Sequence, residues 1–178
     1  MIRKLLNKLR GEPNIDKLKK QGMKVGDNFS YGMNCFFDPA HCFLISIGDN
    51  VTFSTHIHIV AHDASPIKHI GYAKIGCVNI GNDVFVGANT TILPGVTIGD
   101  KTIVGAGSVV VGDCEEKSVY AGVPAKKICS LEEYLEKNRT IEDNMIFGEE
   151  FTVRGGITEE RKNEMKRKLE ENKLGLIK

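Results

Sequence analysis

From Ile80 onward, large aliphatic side chains return at intervals of six: Ile80, Val86, Ile92, Ile98, Val104 and Val110. Glycine follows four of them, at Gly81, Gly87, Gly99 and Gly105. A helix repeats about every 3.6 residues and a half-buried strand every two, so neither explains this rhythm. The pattern predicts a repeat in which each hexad is a short flat strand and a turn, with one aliphatic side chain pointing inward. Three such sides close a triangular coil, and neighbouring coils stack through main-chain hydrogen bonds. Glycine serves where backbones crowd or φ turns positive.

The preceding stretch carries the same rhythm in broken form. Val25, Tyr31 and Phe37 are six apart, and so are Ile47, Phe53 and Ile59, but the two sets are out of phase. An insertion near "DPAHCFL" accounts for the first slip. Ile59 and Ile80 are 21 residues apart, three more than three hexads, which predicts a loop over residues 63 to 74 after "VAHDAS". Loops that leave a rigid scaffold often carry function.

The pattern changes at both ends. Ile2, Leu5, Leu6 and Leu9 share one helical face, which predicts an N-terminal helical cap over residues 1–24 that covers the exposed strand edge of the solenoid. "SLEE" at 130–133 has the capping-box spacing that opens a helix. In "TEERKNEMKRKLEEN" acidic residues precede basic ones, as suits a helix. The expected organisation is therefore a cap over 1–24, a β-solenoid over 25–129 and a C-terminal helical tail over 130–178 that serves capping or subunit contacts.

Composition narrows the function classes. The net charge of +1, with no basic strip interleaved with aromatics, gives no case for nucleic acid as a partner. Residues 1 to 24 hold eight Lys/Arg against two Asp/Glu, so the basic excess is N-terminal. A basic amphipathic helix there could make a weak contact with an anionic membrane surface. Five cysteines without a CxxC pair argue for reduced thiols. No signal-like or membrane-spanning apolar run is present, and a cytoplasmic location is the expectation.

"ILPGVTIGDKTIVGAGSVV" and "YAGVPAKKI" resemble the closing coils and exit loop of the hexapeptide-repeat acyltransferases, a likeness that covers residues 25 to 129. The resemblance implies an all-β solenoid, a left-handed parallel β-helix with a handedness that periodicity alone does not give. It implies an acetyl-CoA-dependent acetyltransferase acting on a small-molecule or glycan acceptor, with a hydroxyl of a sugar or polysaccharide precursor as the expected target. Amino sugars, serine and antibiotics are alternative acceptors in the family. A homotrimer with sites between subunits is implied as well, with no metal required.

"HIHIVAHDAS" holds three of the five histidines, His56, His58 and His62, together with Asp63. Even spacing would place the three imidazoles on one face of an extended strand, and three such ligands plus water make a catalytic zinc site. The γ-class carbonic anhydrases share the β-helix. Against that reading, a corner should intervene between His58 and His62, and "HIGYAKIGCV", with its single His69, lacks that family's paired-histidine pattern. His56 and His58 are read as flanking inward Ile57 and Ile59 at a subunit surface. His62, just before the looped-out segment, occupies the place where the resemblance implies the general base. An unperturbed histidine suits that role near neutral pH.

The resemblance further implies Asn34 and Asp38 as acceptor-side residues, Asp38 also standing as a candidate to orient His62. Asp63 is a third acceptor-side candidate, although adjacent strand side chains point to opposite faces. Ala88 and Ala106 would line the pantetheine arm, and Lys126 and Lys127 would meet the phosphates of the cofactor. Asn34 could equally be a corner residue tolerant of positive φ, the two alanines ordinary corners, and the lysines solvated. Cys42 or Cys77 as an acyl-enzyme nucleophile, a zinc hydratase and a noncatalytic scaffold remain the other readings.

Overall fold

The computed structural model describes residues 13–141 and 143–177. By contact pattern the chain divides into two units that meet between Leu131 and Glu132. The first is a left-handed parallel β-helix with three faces. One face stacks Lys24–Val25, Ile45–Ile47, Val78–Ile80 and Thr97–Ile98. The second stacks Ser30–Tyr31, Thr52–Phe53, Phe85–Val86, Ile103–Val104 and Ser118–Ala121, and the antiparallel strand Lys126–Ser130 closes it. The third stacks Phe36–Phe37, His58–Ile59, Thr91–Ile92 and Val109–Val110.

Register follows the period-six residues directly. Val25 pairs with Ile47, Tyr31 with Phe53 and Phe37 with Ile59, which brings the two out-of-phase sets into line. Ile47, Phe53 and Ile59 in turn pair with Ile80, Val86 and Ile92. The phase slips are the connections between coils. Residues 38–44, including the 3-10 turn Cys42–Leu44, join the first coil to the second, and residues 60–77 join the second to the third.

These aliphatics form the core with a second inward column four residues further on, where Val51, Ile57, Val84 and Val96 are buried. In the later coils that column turns hydroxylic: Thr90, Thr102 and Ser108 are fully buried. Each hydroxyl donates to a backbone carbonyl, Thr90 Oγ1 to Gly87 O at 2.7 Å, Thr102 Oγ1 to Glu115 O at 2.8 Å and Ser108 Oγ to Gly105 O at 2.6 Å. Satisfied in this way, a small polar group can sit inside a crowded turn. Replacing Thr90 by the isosteric valine is expected to lower unfolding free energy by about 0.5–1.5 kcal/mol, read from urea denaturation.

Corners use left-handed backbone. Asn28, Asn50, Asp83, Lys101 and Lys117 form one column of positive φ, and Asn34, His56, Asn89 and Gly107 form another. His56 is thus a corner residue, with φ of 59°, and not a member of the strand that carries His58. The N-terminal end of the coil is filled by Phe29, Tyr31, Phe37 and Phe53, whose rings stack or meet edge-on. Over that end lies the helix Ile15–Lys20, capped by Asn14, with Leu18 buried. The amphipathic face expected at Ile2, Leu5, Leu6 and Leu9 lies outside the described residues.

The second unit departs from a purely helical tail. Helices Leu131–Arg139 and Glu159–Asn172 form where the charge pattern and "SLEE" place them, and Thr158 caps the latter by accepting from Arg161 N. Between and after them, Ile146–Phe147 pairs in parallel with Leu176–Ile177. Met145 and Phe147 are buried, and Phe147 meets the Phe151 ring at 5.2 Å. Among the described residues no helix is long and apolar enough to cross a membrane.

Candidate active site

Asp38 and His62 each follow a strand of the third face, Asp38 directly after Phe36–Phe37 and His62 three residues after His58–Ile59. Because Phe37 and Ile59 are in register, the two departures lie one above the other at the same corner. The chain then leaves the coil through an antiparallel pair, His62–Asp63 with Lys74–Ile75, around the short helix Ile67–Ile70. It rejoins at Gly76, where a Cβ would come within 2.5 Å of Gly95 N. The antiparallel pair at the base of this excursion holds His62 in place.

His62 Nδ1 is hydrogen-bonded to Asp38 Oδ2. Asp38 is fully buried. Oδ2 also accepts from Ala61 N at 3.1 Å, and Oδ1 accepts from Ala40 N at 3.0 Å and His41 N at 3.2 Å. Burial pushes the Asp38 carboxyl upward, but the bonds from His62 and the amides of Ala61, His41 and Ala40 outweigh it and hold the acid below its ordinary range. An ionised Asp38 accepting at Nδ1 fixes the His62 tautomer, leaving Nε2 as a base.

Asp38 was expected either on the acceptor side or as the partner that orients His62. Buried, with both oxygens engaged by His62 and by the amides of Ala61, Ala40 and His41, its geometry favours the second of these roles. Asp63 is likewise engaged: it pairs with Lys74 Nζ at 2.6 Å and accepts from Ser65 N at 2.8 Å, closing the loop. The Lys74 hydrogen bond, with help from Ser65, lowers the Asp63 carboxyl from 3.8 to about 2. A carboxyl NMR titration is expected to find Asp63 ionised down to about pH 2, and Lys74→Ala should return its midpoint towards the ordinary carboxylate range.

His56 and His58 are not grouped with His62. Asn34 Nδ2 lies 3.0 Å from His56 Nε2 at the corner, and the exposed His58 packs its ring against Phe36 at 5.8 Å. Among the described residues, the group whose ligand atoms all lie within 4.8 Å of one another, close enough to share a metal ion, is Asp38, His41 and His62. His41 drew no attention in the sequence because it stands alone in the inter-coil segment. In this cluster Asp38 Oδ2 is already hydrogen-bonded to His62 Nδ1, so an ion would have to displace that bond. Cys42 is buried with its thiol towards the carbonyls of Leu18 and Gln21, which removes it as a nucleophile, while Cys77 is exposed.

The remaining candidates gather at the corner before the third face. Ala88 and Ala106 precede Asn89 and Gly107 there, beside Asn34 in the first coil. Gly87 packs so closely that a Cβ would sit 2.5 Å from Ala106 N. Gly122 N donates to Ser108 Oγ and Ala125 N to Val109 O, folding the exit loop over this corner and setting Lys126 beside it. Lys126 is exposed, whereas Lys127 Nζ lies 2.7 Å from Glu115 Oε2. Within one chain, Asn34 and Asp38 bracket the same strand, on the order of 13 Å apart. The structure therefore does not bring Asn34, Ala88 or Ala106 to the His62 of their own chain.

Comparison with known proteins places this geometry. Residues 77–112 match the profile of the family described as bacterial transferase hexapeptide (six repeats). The chain is 34% identical to protein CapG of Staphylococcus aureus, over 68% of this chain and 74% of that one. It is 32% identical to galactoside O-acetyltransferase of Escherichia coli, over 66% of this chain. It spans only 58% of that relative's length. A hexapeptide-repeat-containing acetyltransferase of Vibrio cholerae, solved in complex with acetyl-CoA, superposes with a TM-score of 0.56 at 29% identity, over 62% of this chain and 61% of that one.

Proposed function

The chain belongs to the hexapeptide-repeat acyltransferase family, and from that premise we propose that it transfers an acetyl group from acetyl-CoA to a hydroxyl of a sugar or polysaccharide precursor. The observation that carries the reading is the buried Asp38 bonded to His62 at the base of the loop. His62 Nε2 removes the proton of the acceptor hydroxyl as its oxygen attacks the thioester carbonyl. The C–O bond forms, the C–S bond breaks, and the imidazolium returns that proton to the departing CoA thiolate. Asp38 stabilises the imidazolium in between.

A homotrimer fits the placement of the residues. The small Ala88 and Ala106, with Lys126 beside them, would receive the pantetheine arm and a phosphate, yet they stand at the corner opposite His62. A second copy presenting its Ala88 corner to the His62 corner of the first completes one site, and three-fold closure repeats it. Lys127 takes no part in this reading because Glu115 holds it.

Free-thiol release from acetyl-CoA, followed over a panel of hexoses, aminosugars and serine, tests the proposal. Acceptor-dependent release with intersecting initial-rate lines supports direct transfer. Absence of turnover with every acceptor, together with stoichiometric zinc in the purified protein, overturns it in favour of a metal hydratase.

A further inference from the structure

His41 shares the carboxylate that orients His62. Its backbone N–H donates to Asp38 Oδ1 at 3.2 Å, and its ring turns back so that Nδ1 lies 3.9 Å from Asp38 Oδ2. Nδ1 is buried and makes no hydrogen bond among the described residues. A lone pair aimed at a buried anion would be repelled, whereas an N–H there is attracted. Asp38 therefore selects the Nδ1–H tautomer at His41 as it does at His62. Both rings keep an Nε2 lone pair, and both reach the surface, with side chains 31% and 39% exposed. Their centroids are 4.9 Å apart.

Two imidazoles so placed, with the same tautomer set by one anion, can receive two hydroxyls at once. We propose that His41 is an acceptor-binding residue whose Nε2 accepts a hydrogen bond from the hydroxyl next to the one that His62 deprotonates. The site then selects acceptors carrying two hydroxyls on adjacent carbons, as on a sugar ring. This rests on the acetyl-transfer reading for its substrate. It makes no proton-transfer demand on His41, which positions the diol and thereby aligns the reacting oxygen.

The tautomer is tested without turnover. Long-range 1H–15N NMR of the imidazoles is expected to show Nδ1–H at both His41 and His62, and an Nε2–H tautomer at His41 overturns the proposal even if acetyl transfer is established. Acetyl-CoA assays with methyl hexopyranosides and their monodeoxy analogues test the contact. His41→Asn, which keeps only a group near the Nδ1 position, should lower kcat/KM for the diol acceptor roughly 3- to 10-fold. The loss should lie in the acceptor KM, with the acetyl-CoA KM unchanged. His41→Gln, which reaches the Nε2 position, should restore most of it. An acceptor lacking the adjacent hydroxyl should be used equally well by wild type and His41→Asn. An equal loss on both acceptors assigns His41 to structure alone and refutes the diol contact. Failure of the wild type to consume acetyl-CoA would sink the transfer reading, while the NMR result still decides what His41 presents.

Discussion

Replacing His62 by alanine is expected to lower acetyl transfer by about 10²- to 10⁴-fold. The variant removes the one base whose Nδ1 is held by a buried anion, and no other described imidazole is bonded in that way. His56 is tied into a corner with Asn34, and His58 stands on the outer face of the coil. The fold should survive, because the His62 side chain contributes one bond to Asp38 while the amides of Ala61, Ala40 and His41 remain. A stability loss of about 1–2 kcal/mol is anticipated from the missing bond. Thiol release measured beside urea unfolding separates the two effects. Full activity in the variant would leave the family assignment standing and remove the histidine mechanism.

Much of this architecture could be read from spacing. Val25, Tyr31 and Phe37 against Ile47, Phe53 and Ile59 were visible as hexad sets, and the structure pairs them residue for residue. The phase slips marked the two inter-coil segments, since an inserted loop must break a stacked register. What the slips concealed was the geometry of the site. Asp38 and His62 could both be named as candidates, but only once Phe37 and Ile59 are known to pair do they fall at the same corner.

His41 lay beyond a sequence reading for a different reason. Its ring turns back to the corner from the position just before the 3-10 turn Cys42–Leu44, a path that no period predicts. His56 at positive φ is similarly unannounced, because a left-handed corner in a non-glycine residue depends on the stack around it. The parallel pair Ile146–Phe147 with Leu176–Ile177 joins two-residue strands across a helix, too short to leave a pattern.

Asp38→Asn is the sharper test of the site, because it alters one atom and strains two functions. Four donors converge on the native carboxylate: His62 Nδ1 and the backbone amides of Ala61, Ala40 and His41. A carboxylate accepts at both oxygens, whereas an asparagine must turn its NH2 towards one pair of those donors. If the NH2 faces His62, the imidazole has to present a lone pair at Nδ1 and carries its proton on Nε2, the wrong tautomer for a base. In the protease triad, that same replacement costs about 10⁴ in turnover through the wrong tautomer. Here a fall of about 10²- to 10⁴-fold in kcat is expected, with little change in the acetyl-CoA KM. If the NH2 faces Ala40 and His41 instead, two part-buried amides lose their acceptor, and stability drops by about 1–2 kcal/mol.

The pH dependence distinguishes this role from a generic packing defect. The folded Asp38 carboxyl titrates below its ordinary value of 3.8, so its contribution is present above that pH and disappears as pH falls through the lower folded value. Asparagine has no such contribution to lose. The gap in unfolding free energy between wild type and Asp38→Asn should therefore be widest at neutral pH and narrow on acidification below 3.8. Urea titrations of both proteins across that range measure the gap directly. A gap that stays constant with pH would mean that the charge of Asp38 is immaterial, and with it the stabilisation of the His62 imidazolium.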